Sequence, residues 1–160
     1  MKSDISTSSL VCAVVNDKWD IMADLTRTGW SAFNELKVVR DDGSTLTSTP
    51  ENWKNTWRAS LGINHHYNEH WISRAGLAYD QSPVLKAYRT PRVLDSDRTW
   101  LALGGQYKPD SVSALDFGYA HLFVSDAPID QDMSASGAGT LTGNYKSDVN
   151  ILSVQYTHNF

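Results

Sequence analysis

The sequence predicts an all-β fold in which about seven long antiparallel strands form part of a transmembrane β-barrel wall. Three observations support this prediction. Apolar and polar residues alternate with a period of two in six segments of the 160-residue chain, and a weaker segment precedes them. Short and long connections alternate strictly between the segments, as they do in outer-membrane barrels. Aromatic residues gather at both ends of the segments, where a bilayer has its two interfaces.

The composition is that of a single folded unit. Apolar residues make up 41% of the chain and charged residues 20%. The mean hydropathy of -0.40 and the lack of any long apolar run exclude a transmembrane helix. Six Trp, seven Tyr and four Phe are too many for a disordered chain. The net charge is -4 and no basic cluster is present, which predicts no nucleic-acid partner. Cys12 is the single cysteine and excludes an internal disulfide.

The first two strands are predicted near the amino terminus. Residues 10–15 form a weak first strand, and residues 19–25 alternate clearly. We expect the second strand to continue to about Val39, with a bulge or bend at Gly29, where the phase of the alternation slips.

The remaining strands are predicted at residues 57–65, 71–80, 99–107, 114–123 and 148–160. In each of them one face is rich in apolar and aromatic residues, and the other carries small, polar and charged residues. In a barrel the second face would line the lumen, and its charged residues would be Asp20, Asp24, Arg58, Arg74, Asp80 and Asp116.

The connections give the strands an orientation. Short turns are predicted at residues 16–18, 68–70 and 109–111, and long polar loops at 40–52, 81–97 and 126–147. Short turns lie on the periplasmic side of outer-membrane barrels and long loops lie outside. One alternative is a soluble β-sandwich or small barrel that acts as a binding module and buries the aromatic face. A second alternative is an outer-membrane barrel with an adhesin-like role.

Four stretches of sequence carry a resemblance to a known family. They lie at residues 16–36, at 57–80, at 80–100 and in the terminal strand that ends in Phe160. The third is the most distinctive, with Asp-Gln-Ser-Pro-Val at 80–84, Arg-Thr-Pro-Arg at 89–92 and Asp-Arg-Thr-Trp at 97–100. The chain resembles the C-terminal half of the FadL/TodX (OMPP1) outer-membrane transporters of long-chain fatty acids and hydrocarbons.

The resemblance implies the last seven strands of a fourteen-stranded barrel. Residues 1–160 would then be a single C-terminal barrel segment, with 1–13 as a poorly matching lead-in and 14–160 as barrel strands. We expect the family's N-terminal plug, the first half of the barrel and a signal peptide to be absent from this chain. The parent protein is expected in the outer membrane of a Gram-negative bacterium.

The function implied by the resemblance is passive transport of long-chain fatty acids or other hydrophobic compounds. As a C-terminal fragment, the chain is not expected to be competent alone. The implied partners are a fatty acid or other hydrophobic small molecule, outer-membrane lipid, the barrel-assembly machinery and the missing N-terminal half of the barrel. No cofactor is implied.

Five cations are candidate ligand-binding residues: Lys54, Arg58, Arg74, Arg89 and Arg92. Arg58 and Arg74 would face the lumen and Lys54 lies nearer its outer end, where a cation could bind a carboxylate. Alternatively, Arg58 and Arg74 pair with lumen aspartates. Arg89 and Arg92 belong either to an outer vestibule that attracts anionic amphiphiles or to an ordered loop packed by its own salt bridges.

The terminal strand carries a candidate barrel-assembly signal, formed by Leu152, Val154, Tyr156 and Phe160 on one face. The histidines predict no metal site, because the adjacent His65 and His66 would point to opposite faces of a strand. No nucleophile lies beside a base in the pattern, so we expect no enzymatic activity.

Overall fold

The computed structural model describes residues 5–134 and 137–160, which form eleven strands. In chain order they are β1 (Thr7–Val15), β2 (Trp19–Thr28), β3 (Glu35–Val39), β4 (Thr45–Pro50), β5 (Thr56–His66), β6 (Trp71–Asp80), β7 (Arg98–Tyr107), β8 (Ser113–Val124), β9 (Ala127–Met133), β10 (Gly139–Tyr145) and β11 (Asp148–His158). The described part of the chain contains no helix with the length and apolarity that crossing a bilayer requires.

Seven of these strands form one sheet in the order β1-β2-β5-β6-β7-β8-β11. All neighbouring strands in it are antiparallel. The sheet is not closed, and β1 and β11 are its two edges. The predicted all-β fold with a seven-stranded antiparallel wall is therefore confirmed.

The other four strands form two separate hairpins, β3–β4 and β9–β10. The expected continuation of the second strand to Val39 is wrong, because β2 ends at Thr28, a short helical turn follows, and β3 leaves the sheet. The break occurs where Gly29 donates its backbone N–H to the Ser6 carbonyl, at 2.7 Å. A Cβ atom at residue 29 would lie 2.6 Å from the Ser6 hydroxyl oxygen and 3.3 Å from the Ser6 carbonyl oxygen, so a larger residue here would have to displace the Ser6 side chain.

The three short turns share one hydrogen-bonding pattern. In each, a side-chain oxygen accepts the backbone N–H groups two and three residues further on. The acceptors are Asn16, Asn68 and Asp110, at distances between 2.6 and 3.0 Å. The predicted alternation of short turns and long connections is present, and each short turn is stabilised by a side chain within the turn itself.

Side chains alternate between two faces of the sheet, and the strand register carries each face across it. We call the face with Asp24, Arg58 and Trp100 the inner face, and the face with Trp57 and Leu101 the outer face. The outer face is uncovered, since Leu61 on β5, Leu77 on β6 and Leu103 on β7 are more than half exposed. The alternative of a β-sandwich that buries this face is therefore wrong.

The long connections pack together at one end of the sheet. We call the β3–β4 hairpin, residues 81–97 and the β9–β10 hairpin the outer loop cluster. Backbone hydrogen bonds tie residues 81–97 to the segments that flank the sheet strands: Lys54, just before β5, donates to Pro83 at 3.0 Å, and Ser125, just after β8, donates to Asp97 at 2.8 Å. The cluster also covers the end of the inner face, where Leu122 is buried.

Candidate functional site

The inner face and the outer loop cluster enclose a cavity of about 430 Å³, which we call the outer cavity. It lies at the long-loop ends of β2, β5, β6 and β7. Its apolar lining comes from Trp30, Trp53, Pro83, Val84 and Val93, and Arg58 and Arg98 also line it. The sequence places apolar loop residues beside strand-end cations, and this combination suits an amphiphilic molecule.

A second depression of about 310 Å³ runs along the inner face, and we call it the inner groove. Its floor is smooth because the register brings together the small residues Gly62, Gly76, Ala78 and Ala102. Arg58 lines both the inner groove and the outer cavity, so it lies where the two meet.

Arg58 is exposed, and its guanidinium has no hydrogen bond or ion pair with any of the residues that the structure describes. Its register neighbours are Thr26 on β2 and Asp80 on β6. The nearby acids have other partners: the Asp24 carboxylate accepts a hydrogen bond from the Thr26 hydroxyl at 3.0 Å, and Asp80 lies 3.5 Å from Arg98. The guanidinium of Arg58 is therefore available to a ligand.

Arg74 forms an ion pair with an inner-face aspartate, as the alternative interpretation of the lumen cations predicts. Its guanidinium donates to Asp116 at 2.9 Å, and the Gln106 amide donates to both oxygens of the same carboxylate. Nearer the short turns, Asp20 lies 2.8 Å from the His66 ring. The short-turn half of the inner face is thus a network of paired polar groups, unlike the surroundings of Arg58.

Arg89 is buried and braces the outer loop cluster. Its guanidinium donates to the backbone carbonyls of Pro128, at 2.8 Å, and Asp95, at 3.0 Å. This contact fixes residues 81–97 to the start of β9, as expected of an ordered loop. Arg98 supports the same loop through a 2.9 Å ion pair with Asp95.

Arg92 and Lys54 lie on the surface of the outer loop cluster, and both are exposed. Arg92 lines a groove of about 340 Å³ whose apolar lining includes Leu36 and Val93. Lys54 follows β4 and precedes β5 beside the outer cavity. The structure therefore brings Arg58 and Lys54 to the same end of the sheet, while Arg74 lies towards the short turns.

The terminal strand is an open edge. Leu152, Val154 and Tyr156 are exposed on the outer face, opposite Tyr119, Phe117 and Leu115 of β8. The ring of Phe160 lies 4.9 Å from the ring of His158. The structure thus presents these side chains as one exposed row.

The histidines do not converge. The His65 ring packs between Trp19 and Tyr67 on the outer face, whereas His66 faces Asp20 on the inner one. No group of three or more His, Cys, Asp or Glu side chains suited to a metal ion occurs in the described ranges.

Sequence reasoning did not select Trp100 and Trp53 as site residues. Trp100 lines the inner groove, and Trp53 lines the outer cavity with its indole N–H donated to Glu51 at 3.0 Å. The signal for Trp100 was present, because the alternation of β7 puts this aromatic residue on the face of Ala102 and Gly104. No local pattern marks Trp53, which reaches the cavity through loop packing.

The comparisons with known proteins agree with this architecture. The family described as outer membrane protein transport protein (OMPP1/FadL/TodX) matches residues 4–160. The long-chain fatty acid transport protein of Escherichia coli K12 is 32% identical over 117 residues, which are 73% of this chain and 26% of that protein. A 47 kDa outer membrane protein of Pasteurella multocida is 32% identical over 108 residues, covering 68% of this chain and 25% of its own length.

Two solved structures show the same fold. A Pseudomonas aeruginosa FadL homologue superposes with a TM-score of 0.88 and 32% identity, over 96% of this chain and 35% of its own. The Pseudomonas putida toluene transporter TodX superposes with a TM-score of 0.60 and 21% identity, over 95% of this chain and 34% of its own. This chain spans between a quarter and about a third of the length of these relatives. With its seven-stranded wall and a family match over nearly its whole length, the chain belongs to the OMPP1/FadL/TodX family of outer-membrane transport proteins of Gram-negative bacteria.

Proposed function

We propose that this chain forms part of an outer-membrane channel for passive movement of long-chain fatty acids or similar hydrophobic anions. The observation that carries the proposal is the position of Arg58, an unpaired cation between an apolar outer cavity and a smooth inner groove. In the proposed path a molecule enters the outer cavity, its anionic head group reaches Arg58, and its tail follows the inner groove. The proposal involves no catalysis.

The chemistry of the path supports an amphiphile. A guanidinium donates charge-assisted hydrogen bonds to a carboxylate, and these are roughly twice as strong as bonds between neutral groups. Lys54, at the outer end, would add a second positive charge on the entry side. Arg92 would attract anions to the surface groove of the outer loop cluster. Arg74 and Arg89 contribute to this proposal only as structural residues, since their guanidinium groups already have partners.

The proposal also assigns partners to the exposed surfaces of the sheet. Its outer face would contact outer-membrane lipid, because exposed leucines and aromatic residues are costly in water. The edges β1 and β11 would pair with the remaining strands of the same barrel, the half that precedes these strands in the family. The exposed row of Leu152, Val154 and Tyr156, with the terminal Phe160, would be read by the barrel-assembly machinery.

The head-group role is tested by substituting Arg58. We expect Arg58→Gln to weaken binding of radiolabelled hexadecanoate to the detergent-solubilised chain about tenfold, the effect of losing one charge-assisted contact. Binding of hexadecane, which has no head group, should not change. Arg74→Gln is the matched control, because it removes a guanidinium that is already paired. Equal losses in the two variants would contradict the role of Arg58.

Equal binding of hexadecanoate and hexadecane by the unaltered chain would favour an uncharged hydrocarbon as the substrate.

The requirement for a closed barrel is tested separately in liposomes. We expect the 160-residue chain alone not to admit fatty acid, because its open edges leave unpaired backbone groups that lipid cannot satisfy. Uptake of hexadecanoate by such liposomes would overturn this expectation.

A further inference from the structure

One aromatic side chain in the seven-stranded sheet lies on the inner face. Among the strands β1, β2, β5, β6, β7, β8 and β11, which the structure describes completely, every other Trp, Tyr and Phe lies on the outer face. Trp57, Tyr79 and Phe117 are examples, and the register places all of them opposite outer-face partners. Trp100 instead pairs with Ala78 on β6 and Leu122 on β8, in the inner-face row.

The surroundings of Trp100 make it the dominant feature of the inner groove. Gly76, Ala78 and Ala102 lie beside it in the register and line the same groove. A Cβ atom added at Gly76 would meet the Leu61 backbone oxygen at 3.6 Å and the Ala102 Cβ at 3.9 Å, which are ordinary van der Waals contacts, so the floor has room for a methyl group there. The indole therefore lies beside residues with little or no side chain, and it is the aromatic group in the lining of this groove.

The indole offers an apolar surface to the groove. Its Nε1 atom is buried and has no hydrogen-bond partner among the described residues, while the side chain as a whole is only half-buried. The exposed part of the ring therefore consists of carbon atoms. Arg58 lines the same groove, so a molecule held there by its anionic head group would lay its apolar part against this ring.

We propose that Trp100 is the residue that determines specificity in this channel, by selecting the shape of the hydrophobic part of the transported molecule. The inference rests on the proposed function and deepens it. A flexible alkyl chain can bend across the indole and contact its face. A wide fused-ring system cannot bend, and on the narrowed floor it meets the edge of the indole. Trp100 therefore favours linear amphiphiles over polycyclic ones that carry the same head group.

The test compares two carboxylates of different width, hexadecanoate and 1-pyrenebutanoate, bound to the full chain in detergent. We expect Trp100→Ala to weaken hexadecanoate binding roughly 3- to 10-fold, the range that corresponds to one aromatic contact. The same variant should strengthen pyrenebutanoate binding by a similar factor. The ratio of the hexadecanoate affinity to the pyrenebutanoate affinity should be intermediate in Trp100→Phe, between the ratios of the unaltered chain and of Trp100→Ala. Trp57→Ala removes the same residue type from the outer face and should leave the ratio unchanged.

Each outcome has one meaning. If both probes bind and Arg58→Gln weakens both, but Trp100→Ala and Trp57→Ala give the same affinity ratio, the specificity role of Trp100 is wrong and the proposed function stands. If the unaltered chain binds neither probe, the proposed function and this inference both fall. If Trp100→Ala does not fold, the ratio measured for Trp100→Phe decides, and a ratio equal to that of the unaltered chain overturns the inference.

Discussion

The seven-stranded sheet and the outer loop cluster are stabilised in different ways. The buried apolar residues of the described ranges, Val84, Leu122, Ala127 and Ile129, lie in the cluster or directly beneath it. On the outer face, by contrast, Leu61, Leu77 and Leu103 remain more than half exposed. The cluster thus has a small core of the kind found in water-soluble proteins. Among the described residues of the wall, Leu122 of β8 is the one buried apolar side chain, so the wall depends on strand pairing and on an apolar solvent.

The substitution expected to distinguish the stability of the two regions most strongly is at Ile129, which is 2% exposed. Ile129→Ala should destabilise the outer loop cluster by ~3 kcal/mol, because it removes buried methylene groups and leaves a cavity. The measurements are unfolding in detergent and protease cleavage within residues 81–97. Leu61→Ala on the outer face is the control and should have little effect on that cleavage. Similar cleavage in both variants would mean that the cluster does not depend on its own core.

A charge placed on the wall should distinguish its two faces. Leu101 and Ala102 are neighbours on β7 and point to opposite faces. When the chain is assembled in lipid with the remaining strands of its barrel, Leu101→Arg should cost ~2–4 kcal/mol, because it places a cation in hydrocarbon. Ala102→Arg should cost much less, because the lumen is wet. The free energies of unfolding from lipid vesicles measure this difference, and the reverse order would show that the faces are assigned wrongly.

Two glycines test how closely the strands of the wall approach each other. A Cβ atom at Gly104 would lie 2.8 Å from the backbone oxygen of Phe117, whereas at Gly62 the nearest atom is the Met22 methyl carbon at 3.8 Å. Gly104→Ala should therefore cost ~1–3 kcal/mol through a forced backbone shift. Gly62→Ala should be neutral or slightly stabilising, since it restricts the unfolded chain. Chemical denaturation of both variants would give these values, and equal values would contradict the close approach at Gly104.

The smallest expected effect concerns the short turn between β7 and β8. The hydrogen bond from the Val112 amide to Asp110 lowers the pKa of this carboxyl below its ordinary value of 3.8. A lowered pKa in the folded state stabilises the protein above the unfolded pKa, and this contribution is lost as the pH falls through the folded pKa. Asp110→Asn should keep the turn, as Asn16 and Asn68 do in the other two, and should remove this pH dependence.

The measurement is the thermal unfolding midpoint at pH 7 and at pH 3. The unaltered chain should lose slightly more stability on acidification than the Asp110→Asn variant. Identical losses would show that this carboxylate does not contribute. The expected difference in stability is small because the turn is exposed and is held by a local hydrogen-bonded cap. A small difference would also indicate that the short-turn end of the sheet depends little on buried contacts.

The sheet could be predicted from the sequence because one physical requirement sets the alternation of apolar and polar residues along each strand: one face of the sheet must be apolar and the opposite face polar. The two extra hairpins could not. In β9 only Ala127 and Ile129 are buried, and β10 has no buried residue, so neither strand carries a clear alternation. These hairpins form through backbone pairing and packing in the outer loop cluster, which local sequence does not reveal.

The candidate site could be predicted in part. Strand alternation gave the faces of Arg58 and Arg74, but it could not show that one is unpaired and the other bound to Asp116. That difference depends on which acids lie within reach across neighbouring strands. The burial of Arg89 could not be predicted either, because its partners are backbone carbonyls of Asp95 and Pro128. Every residue has such a carbonyl, so no residue type marks them.

The number of strands in the sheet has a consequence for assembly. Six successive antiparallel pairings leave the first and last strands, β1 and β11, pointing in the same direction. If two copies of this chain lay side by side in the same membrane orientation, β11 of one would meet β1 of the other in parallel, against the pattern of all the other pairs. An antiparallel seam between such copies requires a sheet whose two edge strands run in opposite directions to each other. The wall is therefore directional, and self-association of copies in one membrane orientation cannot complete it without breaking the antiparallel order.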